Sequence, residues 1–172
     1  MSSFIPTEMI LDRLALALRP KTRFIGLEGP ARSAKTGAAI QILYYTLQDP
    51  MRNAKVGLIG AKNLDKINQN ILKKEGVGLL KTHPDCKIVK DEIGGYYIAV
   101  PTTHGEKKIL LAGYDNKQRW QSILGGDIDV ALIDEANIAD ENFLNEVEAR
   151  QLASHYPLTI YTTNGDNPDS HI

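Results

Sequence analysis

Three short stretches of this chain hold residues whose types and spacing suit chemistry on phosphates. The first is EGPARSAKTG, Glu28–Gly37. Gly29 is followed by four residues and then by Ala34-Lys35-Thr36. Backbone amides wrapped in such a loop, with the positive end of a helix opening at Lys35, form a cradle for anionic oxygens. In that geometry Lys35 reaches the outer phosphates and the Thr36 hydroxyl binds Mg²⁺. Gly29 serves the sharp turn. Ala34 stands where a phosphate loop has Gly; its methyl group is tolerable at negative φ and costly at positive φ, and we expect it to be tolerated. Arg32 is either a guanidinium touching the transferring phosphoryl group in cis or a surface pair. The same spacing also arises by chance at strand-to-helix turns, so the surrounding elements have to decide.

The second stretch is DVALIDEA, Asp129–Ala136. It puts two carboxylates directly after an apolar run. Asp134 is the candidate for holding Mg²⁺, and Glu135 for orienting and deprotonating an attacking water. An Asp-Glu pair also opens ordinary helices favourably. Following a phosphate loop, an adjacent Glu points to an additional-strand, catalytic-glutamate ATPase and away from a kinase or small GTPase. The third stretch, LTIYTTNGDNP, ends an apolar run in Thr162-Thr163-Asn164. Short polar side chains there can contact the terminal phosphate or its water, or simply form a polar turn.

Alternation of elements places these stretches. Strands are expected over Arg23–Glu28, Lys55–Ala61, Asp129–Ile133 and Leu158–Thr163. Helices are expected over Thr7–Leu18, Lys35–Leu47, Leu64–Lys74, Asn116–Leu124 and Glu141–Ala153, from apolar residues at helical spacing. Lys87–Lys90, Tyr96–Val100 and Lys108–Ala112 read as further strands, the first two a hairpin at the sheet edge. The fold class is therefore α/β, a mostly parallel central sheet flanked by helices. Ligands in such sheets sit beyond the carboxyl ends of the strands. All three polar stretches fall at that edge.

The composition sets bounds. With 172 residues, 42% hydrophobic and 24% charged, the chain is expected to be one soluble globular domain. Lys+Arg is 20 against 21 Asp+Glu, so no global basic excess advertises nucleic acid. Cys86 is the only cysteine, which excludes an internal disulfide and fits a reduced, intracellular setting. No apolar run approaches a membrane span, and Glu8, Asp12 and Arg13 spoil a signal-peptide core.

Taken together these stretches resemble the ATPase domain of the large terminase subunit of tailed bacteriophages, the motor that packages DNA into proheads. EGPARSAKTGAA looks like the family's Arg-containing Walker A loop. KVGLIGAKNLDKINQNIL is similar to the strand and helix that follow it. LLAGYDNKQRWQSILGGDIDVALIDEANIADENFLNEVEAR matches the family's order of glycine-led strand, basic segment, glycine, Walker B acidic pair and helix. TTNGDNPDSH looks like the coupling motif, with Gly165 in place of a proline and Ser170-His171 where His-Trp is usual. The resemblance covers about residues 20–172.

The resemblance implies a P-loop NTPase of the additional-strand type. Gly29, Pro30, Ala31, Arg32, Ser33, Ala34, Lys35 and Thr36 would bind ATP. Arg32, Lys35 and Glu135 would be catalytic, Thr36 and Asp134 would bind Mg²⁺, and Thr162, Thr163 and Asn164 would couple hydrolysis to movement. It implies double-stranded DNA as partner and a homo-oligomeric ring on a portal with a small terminase subunit. It implies no membrane, and the bacterial host cytoplasm as the setting. Residues 1–172 would form a single ATPase domain headed by a helix in 1–20. The family's C-terminal nuclease domain has no room here, so no DNA cleavage is expected. The alternatives are a helicase-like P-loop ATPase, which would need a second motor domain, and a non-hydrolysing nucleotide-binding remnant. Arg119 and Arg150 could be fingers in trans or surface pairs, Trp120 a DNA-stacking or a core residue, and Lys21 and Arg23 adenine contacts by proximity alone. His83 and Cys86 are too few ligands for a metal site.

Overall fold

The computed structural model describes residues 8–30, 34–92, 94–123 and 125–164. Ala31, Arg32 and Ser33 of the loop, and Gly165, Ser170 and His171 of the last motif, lie outside the described residues, as does the Arg119 side chain. Seven strands form one sheet in the order β1-β7-β6-β2-β5-β4-β3. They are β1 (Phe24–Glu28), β2 (Val56–Ala61), β3 (Lys87–Lys90), β4 (Tyr96–Val100), β5 (Lys107–Gly113), β6 (Val130–Ile133) and β7 (Leu158–Thr163). Strands β1, β7, β6, β2 and β5 run parallel. The hairpin β3–β4 is antiparallel and puts β3 at one edge. β6 is buried at all four positions and β2 at five of six. Both lie mid-sheet with covered faces, which is why they read as unbroken apolar runs.

Helices cover both faces. Helix α2 (Lys35–Gln48) buries Ala38, Ala39, Ile42, Leu43 and Leu47 against one face, with α1 (Glu8–Ala17) and α4 (Leu79–Thr82) joining the same core. On the other face α5 (Lys117–Ile123) and α6 (Glu141–Arg150) bring Trp120, Phe143 and Val147 onto Leu58, Ala131 and Ile133. Gly60 of β2 is the place where this face can be approached closely. A Cβ there would sit 2.9 Å from Phe143 Cζ and 3.0 Å from Ile133 Cδ1.

Three elements depart from expectation. The helix expected over 64–74 is one α-helical turn, α3 (Leu64–Lys66), that widens into a π-helical segment over Ile67–Leu72. Its closing bond runs from Lys73 N–H to Asn68 O at 3.0 Å. The wider turn lets Ile67, Ile71 and Leu72 all reach the core. The α4 turn was not anticipated. Helix α6 stops at Arg150, short of Ala153, because Gln151 is buried and turned into the sheet. Its amide donates to Leu158 O at 3.0 Å and accepts from the Thr159 hydroxyl at 2.7 Å.

Arg52, only 3% exposed, ties the base of the molecule together. Its guanidinium donates to the carbonyls of Ala17, Arg19, Thr22 and Tyr156. The C-terminal end of α1 is thereby joined to the turn before β7. Cys86 is 4% exposed, and burial with the nearby Asp85 carboxylate pushes its thiol up to about 12.

Candidate functional site

The strand order brings the ends of β1, β7 and β6 side by side. Neighbouring strands are about 4.8 Å apart, so the loop after β1, the acidic pair after β6 and Asn164 after β7 share one corner of the carboxyl edge. The adjacency is not visible in sequence, because β1 and β7 are separated by most of the chain.

The loop after β1 leads into α2 through Ala34, whose backbone is left-handed at φ 61° and ψ 3°. This corrects the expectation that Ala34 is accommodated without cost. An L-residue in that region carries a steric penalty of about 1 kcal/mol that Gly escapes. The helix ladder nonetheless begins at this residue, whose carbonyl accepts from Ala38 N–H at 3.0 Å. Among the described residues no side chain caps α2. Its first amides therefore face out of the helix end as an anion-binding group. Lys35 Nζ donates to Pro30 O at 2.9 Å, so the lysine folds over its own loop.

Thr36, Asp134, Glu135, Thr162 and Asn164 form one connected chain of polar contacts. Thr36 Oγ1 lies 3.5 Å from Asp134 Oδ1. That same carboxylate oxygen accepts from Thr162 Oγ1 at 2.6 Å. Thr162 Oγ1 in turn accepts from Glu135 N–H at 3.0 Å. At the far end Asn164 Nδ2 donates to Glu135 Oε1 at 3.1 Å. Asp134 is 6% exposed and Thr162 fully buried. Glu135 is half-buried and, like Ala34, left-handed at φ 52°. Strained backbone of this kind persists only where its surroundings hold it.

The donor set fits a magnesium ion. The Thr36 hydroxyl and Asp134 carboxylate are both hard oxygen ligands, close together, with no nitrogen or sulfur ligand between them. Among the described residues no three His, Cys, Asp or Glu gather into a metal cage. A Mg²⁺ ion carried on phosphates needs only one or two protein oxygens and keeps the rest as water or phosphate.

Tyr114 belongs to this site, and sequence reasoning missed it. It follows β5 directly, and its ring sits 5.7 Å from that of Phe143. Its hydroxyl reaches Asp134 O at 3.2 Å and Glu135 O at 3.3 Å. Burial, with Glu135, Asp134 and Asp115 nearby, pushes the phenol well above its ordinary value and keeps it a donor. A signal was present: an aromatic residue directly after a buried strand, at the edge where the other polar stretches converge.

Other candidates fall elsewhere. Thr163 pairs with Glu28 across β1–β7. Arg150 is held by Glu146 one turn away, Nη2 to Oε1 at 2.7 Å. Trp120 is a core residue at 2% exposure, edge-on to Phe143. Lys21 and Arg23 precede β1, at the opposite edge of the sheet. The five residues of β1 put them about 16 Å from the loop. They line a shallow depression of about 460 Å³ with Leu152, His155 and Tyr156. A separate cleft of about 800 Å³ lies under the β3–β4 hairpin, lined by Leu64, Ile67, Leu72, Ile88, Tyr96 and Leu111.

A mostly parallel sheet flanked by helices, with this corner at its carboxyl edge, gives the chain the α/β fold of P-loop NTPases. Solved structures with that fold match over nearly the whole chain. The large terminase of a thermophilic bacteriophage, in complex with ADP, superposes with a TM-score of 0.71 at 16% identity, over 91% of this chain and 39% of that one. The HK97 bacteriophage large terminase gives 0.63 at 17% identity, over 93% and 33%. The large terminase ATPase domain of Thermus phage P74-26 gives 0.50 at 16% identity, over 95% and 72%. The chain spans about two fifths of the length of the first of these. No family model and no curated protein matches its sequence.

Proposed function

We propose that this chain is a Mg²⁺-dependent ATPase domain of the large-terminase type, whose hydrolysis drives the movement of double-stranded viral DNA. The observation that carries the reading is the polar chain from Thr36 through Asp134 and Thr162 to Glu135 and Asn164, at the mouth of a Gly29–Thr36 loop. The loop and the start of α2 bind the phosphates, and Lys35 leaves Pro30 O for the outer ones. Thr36 and Asp134 hold Mg²⁺, which neutralises charge on the phosphates when bound. Glu135 orients the attacking water and takes its proton. Arg32 is proposed to steady the transferring phosphoryl group from within the loop. Asn164, on the Glu135 carboxylate, links the state of the base to β7, and Thr162 links it to the metal ligand; with Thr163 they form the coupling segment.

Support comes from the shared fold with large terminases, including one solved with ADP and one with ATP-γ-S. By that analogy the proposed partners are double-stranded DNA, a portal and a small subunit, with copies of the chain arranged in a ring in the host cytoplasm. One observation favours a second reading. Left-handed Ala34 strains the loop, which suits a chain that binds nucleotide without turning it over.

The test is ATP turnover by the purified chain with Mg²⁺, with and without linear duplex DNA, beside Lys35→Ala and Glu135→Gln. Turnover abolished in both variants and raised by DNA supports the motor. ATP-induced thermal stabilisation without turnover selects the second reading. Neither turnover nor stabilisation sinks both.

A further inference from the structure

We infer that Tyr114 is a positioning residue for Glu135, its hydroxyl holding the left-handed turn that aims the carboxylate. This rests on Glu135 being the base.

Glu135 is anchored on both sides of its own backbone. On the amide side, its N–H donates to Thr162 Oγ1 at 3.0 Å. On the carbonyl side, the single Tyr114 hydroxyl proton is shared between Asp134 O and Glu135 O, at 3.2 and 3.3 Å. Two consecutive carbonyls facing one donor is a consequence of the turn itself. Were Glu135 to relax to negative φ, its carbonyl would rotate away from the hydroxyl. The bond and the strained backbone (φ 52°) therefore stand or fall together, as expected of strain held by its surroundings.

The packing explains where the ring goes, but not where the hydroxyl ends. Tyr114 is tied back to β2 by its own amide, which donates to Ala61 O at 2.9 Å. Its ring then crosses the end of β2 toward β6. Gly113 permits this path: a Cβ on it would lie 2.8 Å from Asn63 Cα. Phe143 braces the ring, and Trp120 braces Phe143 at 5.6 Å. A phenylalanine would fill the same space. Only the hydroxyl needs the site, and a buried Tyr hydroxyl must find a partner. Here the partners are the carbonyls of the two acidic residues.

The experiment uses the full chain and three proteins: wild type, Tyr114→Phe and Trp120→Phe. ATP turnover is measured over a range of Mg²⁺-ATP concentrations, and amide exchange is followed without nucleotide. The reporters are the amides of Glu135 and of Ile138, which donates to Glu135 O at 3.0 Å. For Tyr114→Phe we expect kcat to fall roughly tenfold to a hundredfold, the scale of a slightly misplaced catalytic group. KM and ATP-induced stabilisation stay unchanged, and exchange quickens across 135–138 alone. Trp120→Phe loosens the same aromatic cluster without touching the hydroxyl and leaves kcat within about twofold of wild type. Full kcat in Tyr114→Phe, a change confined to KM, or an equal loss in Trp120→Phe overturns the positioning role while the ATPase reading stands. Absence of turnover in the wild type overturns the ATPase reading and the catalytic role with it. Unchanged exchange at 135–138 overturns the anchoring independently of any activity.

Discussion

Ala34 and Glu135 share a left-handed backbone, at φ 61° and 52°, and differ in what holds them. Glu135 is fastened by Thr162 and Tyr114. Ala34 contributes a methyl group and no side-chain bond. Replacing it with Gly removes the steric penalty at the cost of a more flexible unfolded chain. Ala34→Gly should stabilise the protein by a net of about 0.5 kcal/mol, a rise in Tm of roughly 1–2 °C, read by thermal and urea unfolding. Thr162→Val should do the reverse. It keeps the shape and strips a partner from both Asp134 Oδ1 and Glu135 N–H. We expect a loss of about 1–3 kcal/mol in urea together with lower turnover at unchanged ATP affinity. Individual site residues were legible in sequence where a polar word closed an apolar run, as in IDEA and YTTN. The hub role of Thr162 and the presence of Tyr114 were not, since both depend on which strands lie beside one another.

At the scale of elements, the buried strands and amphipathic helices could be read from apolar spacing because burial on one or both faces imposes it. The strand order could not, since β1 pairs with β7, the last strand, and β2 lies between β5 and β6. The π-helical segment also escaped, because Ile67, Ile71 and Leu72 satisfy an α-helical face equally well. The junction of α1 with the sheet depends on Arg52, whose conjugated head matches four carbonyls. Arg52→Ala should cost about 3 kcal/mol, on the scale of a lost buried charge network, and should expose α1 to protease. Arg52→Lys should not restore it, lacking the fork. The packing of α2 against the α4 turn predicts a pH response. His83 stacks on Tyr44 with centroids 3.5 Å apart and bonds Gln41 at 3.0 Å. Burial lowers its pKa below the ordinary value of 6.5, with Asp85 opposing. The unfolded chain therefore takes up the proton first as pH falls. Stability from this group is complete above about pH 6.5 and is lost as pH drops through the lowered folded value. Tm should decline over that acid range in the wild type and less steeply in His83→Gln.

Across the whole molecule the sheet separates two ends. The polar chain and the loop occupy the carboxyl edge, while Arg52, Lys21 and Arg23 occupy the other. Nucleotide should therefore stabilise one end preferentially. ATP-γ-S with Mg²⁺ should raise Tm in the wild type and fail to do so in Lys35→Ala, as linkage requires of a ligand that binds only the folded site. The burial of Cys86 has a practical consequence for watching such a domain move. A thiol this inaccessible and this hard to ionise stays silent to maleimide dyes at neutral pH. Mass spectrometry should find the native chain essentially unlabelled and the urea-unfolded chain carrying one dye. This chain is then already a blank background for fluorescence: a cysteine introduced on the exposed Tyr96 or Lys90 of the hairpin would be its sole reporter, with no thiol of the chain to remove first.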